Sequence, residues 1–163
     1  MNYPEYALIE DRKYKINTDL KYALKCYEVI NDSSISDYER AEAIVYILFG
    51  EEGLNSNDKN ELLKKAQLYL QCGQKENIDN DIEPDMDFIE DYDYIVASFM
   101  SDFQIDLDNT KLHWWKFNKL MNGLSNSELG DCCILNRIRN LRNYDVKDIT
   151  DAKEREKIIK ANL

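Results

Sequence analysis

Prolines and glycines are scarce, two and five in 163 residues. Such sparse punctuation excludes a many-turned β-sandwich and suits helices. Histidine is nearly absent, with His113 alone, and the four cysteines (Cys26, Cys72, Cys132 and Cys133) contain no C-x-x-C pair. Zinc needs several converging nitrogen or sulfur ligands, and no local spacing here supplies them, so no metal is expected. G-x-x-x-x-G-K, G-x-G-x-x-G and G-x-S-x-G are all missing. The sequence therefore offers no glycine-rich phosphate cradle and no nucleophile elbow, and neither a cofactor nor a catalytic residue is expected. A histidine-based nucleophile would have to recruit His113, with a thiol or with Asp106 or Asp108 folded beside it. Positive charge is in deficit: 21 Lys and Arg against 32 Asp and Glu, a net charge of −11. That balance argues against binding of the whole protein to nucleic acid or to an anionic membrane. The most apolar run, Ala41 to Phe49, is too short to span a bilayer and is broken by Glu42. The start, MNYPEYALIEDRKY, has no basic segment leading into an apolar one, so no signal peptide is expected. The resulting expectation is a protein of a reducing cytoplasm, with one buried and one semi-exposed thiol at Cys132 and Cys133.

What is present is helical periodicity. A chain of 163 residues can bury about 70% of its unfolded surface without staples. Tyr6 to Ile9 and Tyr14 to Ile16 flank a polar Glu10-Asp11-Arg12-Lys13 and predict a short β-hairpin. Thr18 then caps a first helix to about Asn31, with Leu20, Ala23, Leu24 and Tyr27 on one face. Ser36 and Glu39 form a capping box for a second helix, whose stripe is Tyr38, Ala41, Ile44, Val45 and Leu48. Tyr46, Ile47 and Phe49 leave that helix few polar positions, which predicts a central place, and Gly50 and Gly53 stop it. A third helix spans about Asp58 to Cys72, with Leu62, Leu63, Ala66, Tyr69 and Leu70 inward and Gly73 as its left-handed end.

Residues 74–86 are polar and acidic and predict a loop. Asp79 to Asp93 carries eight carboxylates and no base, yet lacks the central glycine and closing glutamate of an EF-hand. A fourth helix, about Asp87 to Phe103, carries Phe88, Tyr92, Ile95, Phe99 and Phe103. A fifth runs from about Thr110 to Asn122, and a sixth from about Ser127 to Asn140 behind a second S-x-x-E pair, Ser125 and Glu128. The tail forms either a seventh helix or a frayed end. The expected fold is mainly α, a compact bundle of about six helices with a short N-terminal β-hairpin. It forms a single domain of two helical halves, about 1–73 and 87–163, joined by the acidic loop 74–86. Charge divides unevenly: through Thr110 there are 10 basic and 25 acidic residues, and from Lys111 onward 11 basic and 7 acidic. A basic end of this kind can meet an acidic partner or the acidic half of its own chain.

The densest unusual segment is Lys111-Leu112-His113-Trp114-Trp115-Lys116-Phe117. Two adjacent tryptophans on a helix point about 100° apart, so they cannot both enter one core. Either both rings are at least partly buried against the fourth helix, or Trp115 lies on the Leu112 face and Trp114 is the exposed anchor for a protein partner. Trp115, His113 and Lys116 are its neighbours. Tyr94, off the stripe of the fourth helix, is a further candidate contact.

Two blocks carry a resemblance. One is Tyr14-Lys15-Ile16-Asn17-Thr18-Asp19 with Tyr27-Glu28-Val29-Ile30-Asn31-Asp32 and Asp37-Tyr38-Glu39-Arg40-Ala41-Glu42. The other is Asp93-Tyr94-Ile95-Val96-Ala97-Ser98-Phe99, Gln104-Ile105-Asp106-Leu107, and the tryptophan segment through Phe117, with Leu120, Gly123-Leu124 and Ile138-Arg139. Together they resemble the bacteriophage gene-product-fifteen family of siphophages and prophages. That resemblance implies a gene in the tail-morphogenesis cluster and, by position, a role like a tail assembly chaperone. The implied partners are the phage tape-measure protein and possibly another tail assembly protein. It also implies residence in the bacterial host cytoplasm and absence or only a trace in the finished virion. A structural component of the tail is the alternative, and a small enzyme or DNA-handling factor a third.

Overall fold

A computed structural model of the chain describes residues 2–74, 85–127, 131–143 and 152–161. It is mainly α, with seven helices and one two-stranded sheet among the described residues. The acidic stretch 75–84 and Glu128 of the second S-x-x-E pair lie outside them. Packing divides the chain into two units: Met1–Ile78 with Lys111–Asn122, and Asp79–Thr110 with Gly123–Leu163.

In the first unit, β1 (Tyr6–Ile9) pairs antiparallel with β2 (Arg12–Lys15) in the register Tyr6 to Lys15 and Leu8 to Lys13. The second strand starts two residues earlier than the apolar pattern suggests, leaving only Glu10 and Asp11 as the turn, with Glu10 at a φ of 52°. Two-residue turns match strand twist best. The register also lets Arg12 pair with Asp58 at 2.8 Å, while the Tyr14 hydroxyl donates to the same carboxylate at 2.6 Å. Alternation sends Ala7, Ile9 and Tyr14 inward and Tyr6, Leu8, Lys13 and Lys15 outward.

Helix α1 (Leu20–Asn31) is capped by Asp19, which accepts from the Lys21 amide, rather than by Thr18. The Thr18 carbonyl is occupied elsewhere: it accepts from the Trp114 amide at 2.9 Å. Helix α2 (Asp37–Leu54) has the full Ser36–Glu39 capping box and lies between α1 and α3 (Lys59–Leu70). Gly50 breaks it, at φ 70° and ψ −163°, a region open essentially to glycine alone, and one further turn follows. The break frees carbonyls that Asn17 takes up, its amide N–H donating to Leu48 and its side chain to Ile47, both at 2.8 Å. Tyr38 departs from the expected buried stripe. It is 69% exposed, in the first turn of α2, where its hydroxyl donates to Glu42 in solvent. The core of this unit holds Leu20, Ala23, Cys26, Val45, Leu48, Leu62 and Ala66, and also α5 (Trp114–Asn122) through Trp114 and Phe117.

The second unit holds α4 (Tyr92–Phe103), α6 (Ile134–Arg142) and α7 (Ala152–Ala161). Helix α4 begins later than its apolar stripe suggests, because Asp87 folds a turn by accepting from the amides of Ile89 and Glu90. Ile95 and Phe99 are buried as expected, while Phe88, Tyr92 and Phe103 are half-buried. Gln104 ends α4 in the left-handed conformation usually taken by glycine. Helix α6 also begins later than Ser127. Its first turn is served by Ser98 of α4, whose buried hydroxyl donates to the Tyr94 carbonyl at 2.7 Å and accepts from the Leu135 amide at 3.1 Å. Cys133 is buried and Cys132 half-buried, the division expected of the pair. The tail takes the helical alternative, with Ile158 buried.

Candidate functional site

The site is built where the end of α3 meets the start of α5. A helix ends with carbonyls that lack intrahelical donors. Two of those at the end of α3 are met by the two adjacent tryptophans. Trp114 Nε1 donates to the Leu70 carbonyl and Trp115 Nε1 to the Tyr69 carbonyl, each at 2.9 Å. Gly73 makes this close approach possible. It sits at φ 77° and donates back to the Leu68 carbonyl at 2.8 Å. A β-carbon there would lie 3.1 Å from Cη2 of Trp115.

The position of α5 is set by a short antiparallel bridge, Asp19 to His113, with Leu20 donating to the Leu112 carbonyl at 2.8 Å. Helical phase therefore begins at Trp114, and Leu112 lies before it. Both rings are at least partly buried, and the one nearer solvent is Trp115 instead of Trp114. Trp114 is wholly buried, stacked on Phe117 at 5.4 Å and tilted against Tyr27 at 5.8 Å, whereas Trp115 is half-buried. Counting turns from Leu112 put the wrong ring inside.

His113 acts as the cap of α5. Its Nδ1 accepts from the Trp115 amide at 3.0 Å, which places the ring proton on Nε2, and Nε2 donates to the Pro4 carbonyl at 2.9 Å. The ring stacks on Tyr3 at 5.0 Å and meets Tyr69 edge-on at 6.0 Å. Both nitrogens are thus engaged by backbone groups. Tyr69 in turn stacks with Trp115 at 6.2 Å and donates from its hydroxyl to the Thr18 carbonyl.

Beside Trp115 lies an open groove of about 770 Å³, lined by Tyr3, Tyr27, Gln71, Cys72, Asn118 and Lys119 among others. Lys119 places its ammonium 5.1 Å from the Tyr3 ring centroid. Burial pushes the Cys72 thiol up to about 11 and the Tyr27 hydroxyl up to about 12, so both are protonated at neutral pH. A protonated thiol is a poor nucleophile. Among the described residues no three His, Cys, Asp or Glu side chains converge to hold a metal ion, and no helix is long and apolar enough to cross a membrane.

Of the residues singled out from sequence, His113, Trp114 and Trp115 come together. Lys116 is exposed on α5, and Tyr94 is half-buried on α4, in the second unit. Tyr3, Tyr27, Tyr69 and Asn118 were not anticipated. Separation in sequence hides the three tyrosines, whereas Asn118 is one helical turn from Trp115 on α5, and only Gly73, read as a helix end, hinted at a close approach.

A half-buried indole, a tyrosine-lined groove and polar atoms tied to backbone define a helical protein that presents ring faces. The family described as Bacteriophage Gp15 protein matches residues 4–162. The chain belongs to that family, and it is a phage protein. No curated protein and no solved structure matches it.

Proposed function

We propose that this chain is a non-enzymatic tail assembly protein that binds the phage tape-measure protein and keeps it soluble until tube subunits surround it. One observation carries the reading. In the Trp115 cluster both indole N–H groups and both His113 nitrogens are spent on backbone partners, which leaves ring faces, side-chain amides and the Lys119 ammonium for a ligand. Such a surface suits the apolar face of a helix laid into a groove. A long helical tape measure has many such faces, and repeated weak contacts would give avidity while permitting release. The net charge of −11 would keep the complex soluble.

Co-expression with the tape-measure protein of the same phage tests this. The soluble fraction of that protein should rise several-fold with the wild-type chain, and Trp115→Ala should remove most of the gain. No rise with the wild type would overturn the reading. Mass spectrometry of purified virions separates it from the structural alternative: a chaperone is absent or at trace level, whereas a stoichiometric amount would make the chain a tail component.

A further inference from the structure

A second groove also reaches Trp115 and lies between the hairpin and α3, with Ala7 and Ile16 at its base. It has about 280 Å³ and is lined by Pro4, Tyr6, Leu8, Leu68, Trp115 and Lys65, with little polar surface of its own. That volume is at the small end for a drug-sized ligand and suits one or two side chains of a polypeptide. Its apolar residues are conspicuously exposed: Leu8 is 59%, Tyr6 44% and Leu68 42% accessible. Isolated exposed leucines are ordinary, but three large apolar side chains converging on one groove mark an interaction surface.

The charge around this groove opposes that of the protein. The strand register sets Lys13 across from Leu8 and Lys15 across from Tyr6, on the same outward face. Lys65 reaches the groove from α3. Among the described residues none of these three lysines is in an ion pair. Lys13 instead lies 4.2 Å from the Tyr6 ring centroid. Lys65 is the one charged residue that lines the groove, Lys13 and Lys15 stand on the adjoining hairpin face, and the nearest carboxylates in sequence, Glu5 and Glu10, lie at the two ends of β1, so in a chain with 11 more acids than bases the groove itself carries no acid. A rim of one sign selects a partner of the other.

We infer that the hairpin–α3 groove docks a partner segment in which apolar side chains are flanked by carboxylates, an acidic amphipathic helix. The apolar side chains fill the space between Leu8, Leu68 and Trp115, and the carboxylates meet Lys13, Lys15 and Lys65. This assignment rests on the reading of the chain as a polypeptide-binding protein and adds the sign of the charge that its partner must carry.

The probe is a fluorescent peptide of about 15 residues with leucines at i, i+3, i+4 and i+7 and glutamates around them; a lysine version is the comparison. Polarisation with the full chain should show the glutamate peptide binding about tenfold or more tighter than the lysine peptide. Leu8→Ser should weaken it about fivefold or more, and the double change Lys13→Glu with Lys65→Glu should invert the preference, with melting temperatures unchanged. These side chains are exposed, so the variants are expected to fold. Equal binding of the two peptides, or indifference to Leu8→Ser, would overturn the inference. So would a wild-type dimer that Leu8→Ser dissolves, because the occupant would then be a second copy. Co-expression separates the two levels. If the wild type solubilises the tape measure and both groove variants do so equally well, the groove assignment fails and the functional reading stands. If the glutamate peptide binds as expected and the tape measure is not solubilised, the reverse holds.

Discussion

The two units combine neutral and charged bonds in different ways. In the first, Trp114, Trp115, Tyr69 and Asn17 donate neutral bonds to backbone carbonyls. Charged groups join them at Asp58, held between Arg12 and Tyr14, and at Arg40, which donates to the Val29, Asp32 and Ile35 carbonyls. The second combines neutral bonds of buried Ser98 and Asn136 with ion pairs, one of which holds its buried carboxylate. Arg142 forks onto Asp91 at 2.7 and 2.9 Å, and Arg139 meets Asp85 at 3.0 Å. Neutral bonds of the first kind do not titrate between pH 3 and 9, whereas carboxylate–guanidinium pairs weaken in acid. Both tryptophans of the sequence lie in the first unit, so tryptophan emission reports on that unit, while far-UV circular dichroism reports on helices of both.

The largest effect expected from breaking this contrast is at Trp114. Trp114→Ala empties the core between Phe117 and Tyr27 and leaves the Leu70 carbonyl only the long Tyr27 hydroxyl contact at 3.5 Å, at a cost of about 3–5 kcal/mol. Urea denaturation followed by circular dichroism checks this, and a loss below about 1 kcal/mol would show that the ring is not core. Trp115→Ala should cost clearly less, since that ring keeps one side open to solvent.

Next comes Arg142→Leu. It strands the Asp91 carboxylate, which is buried and also accepts from the Asp87 amide, at about 2–3 kcal/mol. The Arg142 guanidinium holds the Asp91 carboxyl below the usual carboxylate range. A carboxyl with a lowered folded pKa binds fewer protons folded than unfolded. Its stabilisation is therefore complete above the unfolded value near pH 4 and fades as pH falls through the folded one. Circular dichroism titrations between pH 6 and about pH 2 should show a shallower acid slope for Arg142→Leu than for the wild type. Identical slopes would remove Asp91 as a source of acid sensitivity.

Local signals were legible where one segment decided its own structure. The Ser36–Glu39 box, the hairpin alternation, the α3 stripe and the left-handed Gly73 all depend on neighbours within a few residues. The misreadings have non-local causes. Thr18 loses its capping role, and Leu112 its helical phase, to one bridge between segments more than 90 residues apart. That bridge decides which tryptophan is buried. Ser98 looks like an ordinary polar position on α4, and only α6 gives its hydroxyl a purpose. The groove was half legible: the tryptophan segment pointed to it, but Tyr3 and Tyr27 carry no mark in sequence that they share its walls.

The smallest effect tests whether Trp115 is held by the end of α3. Gly73→Ala must bear a left-handed backbone at φ 77° and a methyl group 3.1 Å from the indole, together about 1–2 kcal/mol. Gly50→Ala is the matching control. It also has positive φ, but nothing lies within 4 Å of its added carbon. Both variants should lose stability through the backbone, yet only Gly73→Ala pushes on a fluorophore. Its tryptophan emission should therefore shift in the folded state while that of Gly50→Ala stays at the wild-type wavelength. If the two emission spectra coincide, the ring yields freely, and the groove beside it is softer than the Tyr69 carbonyl bond implies.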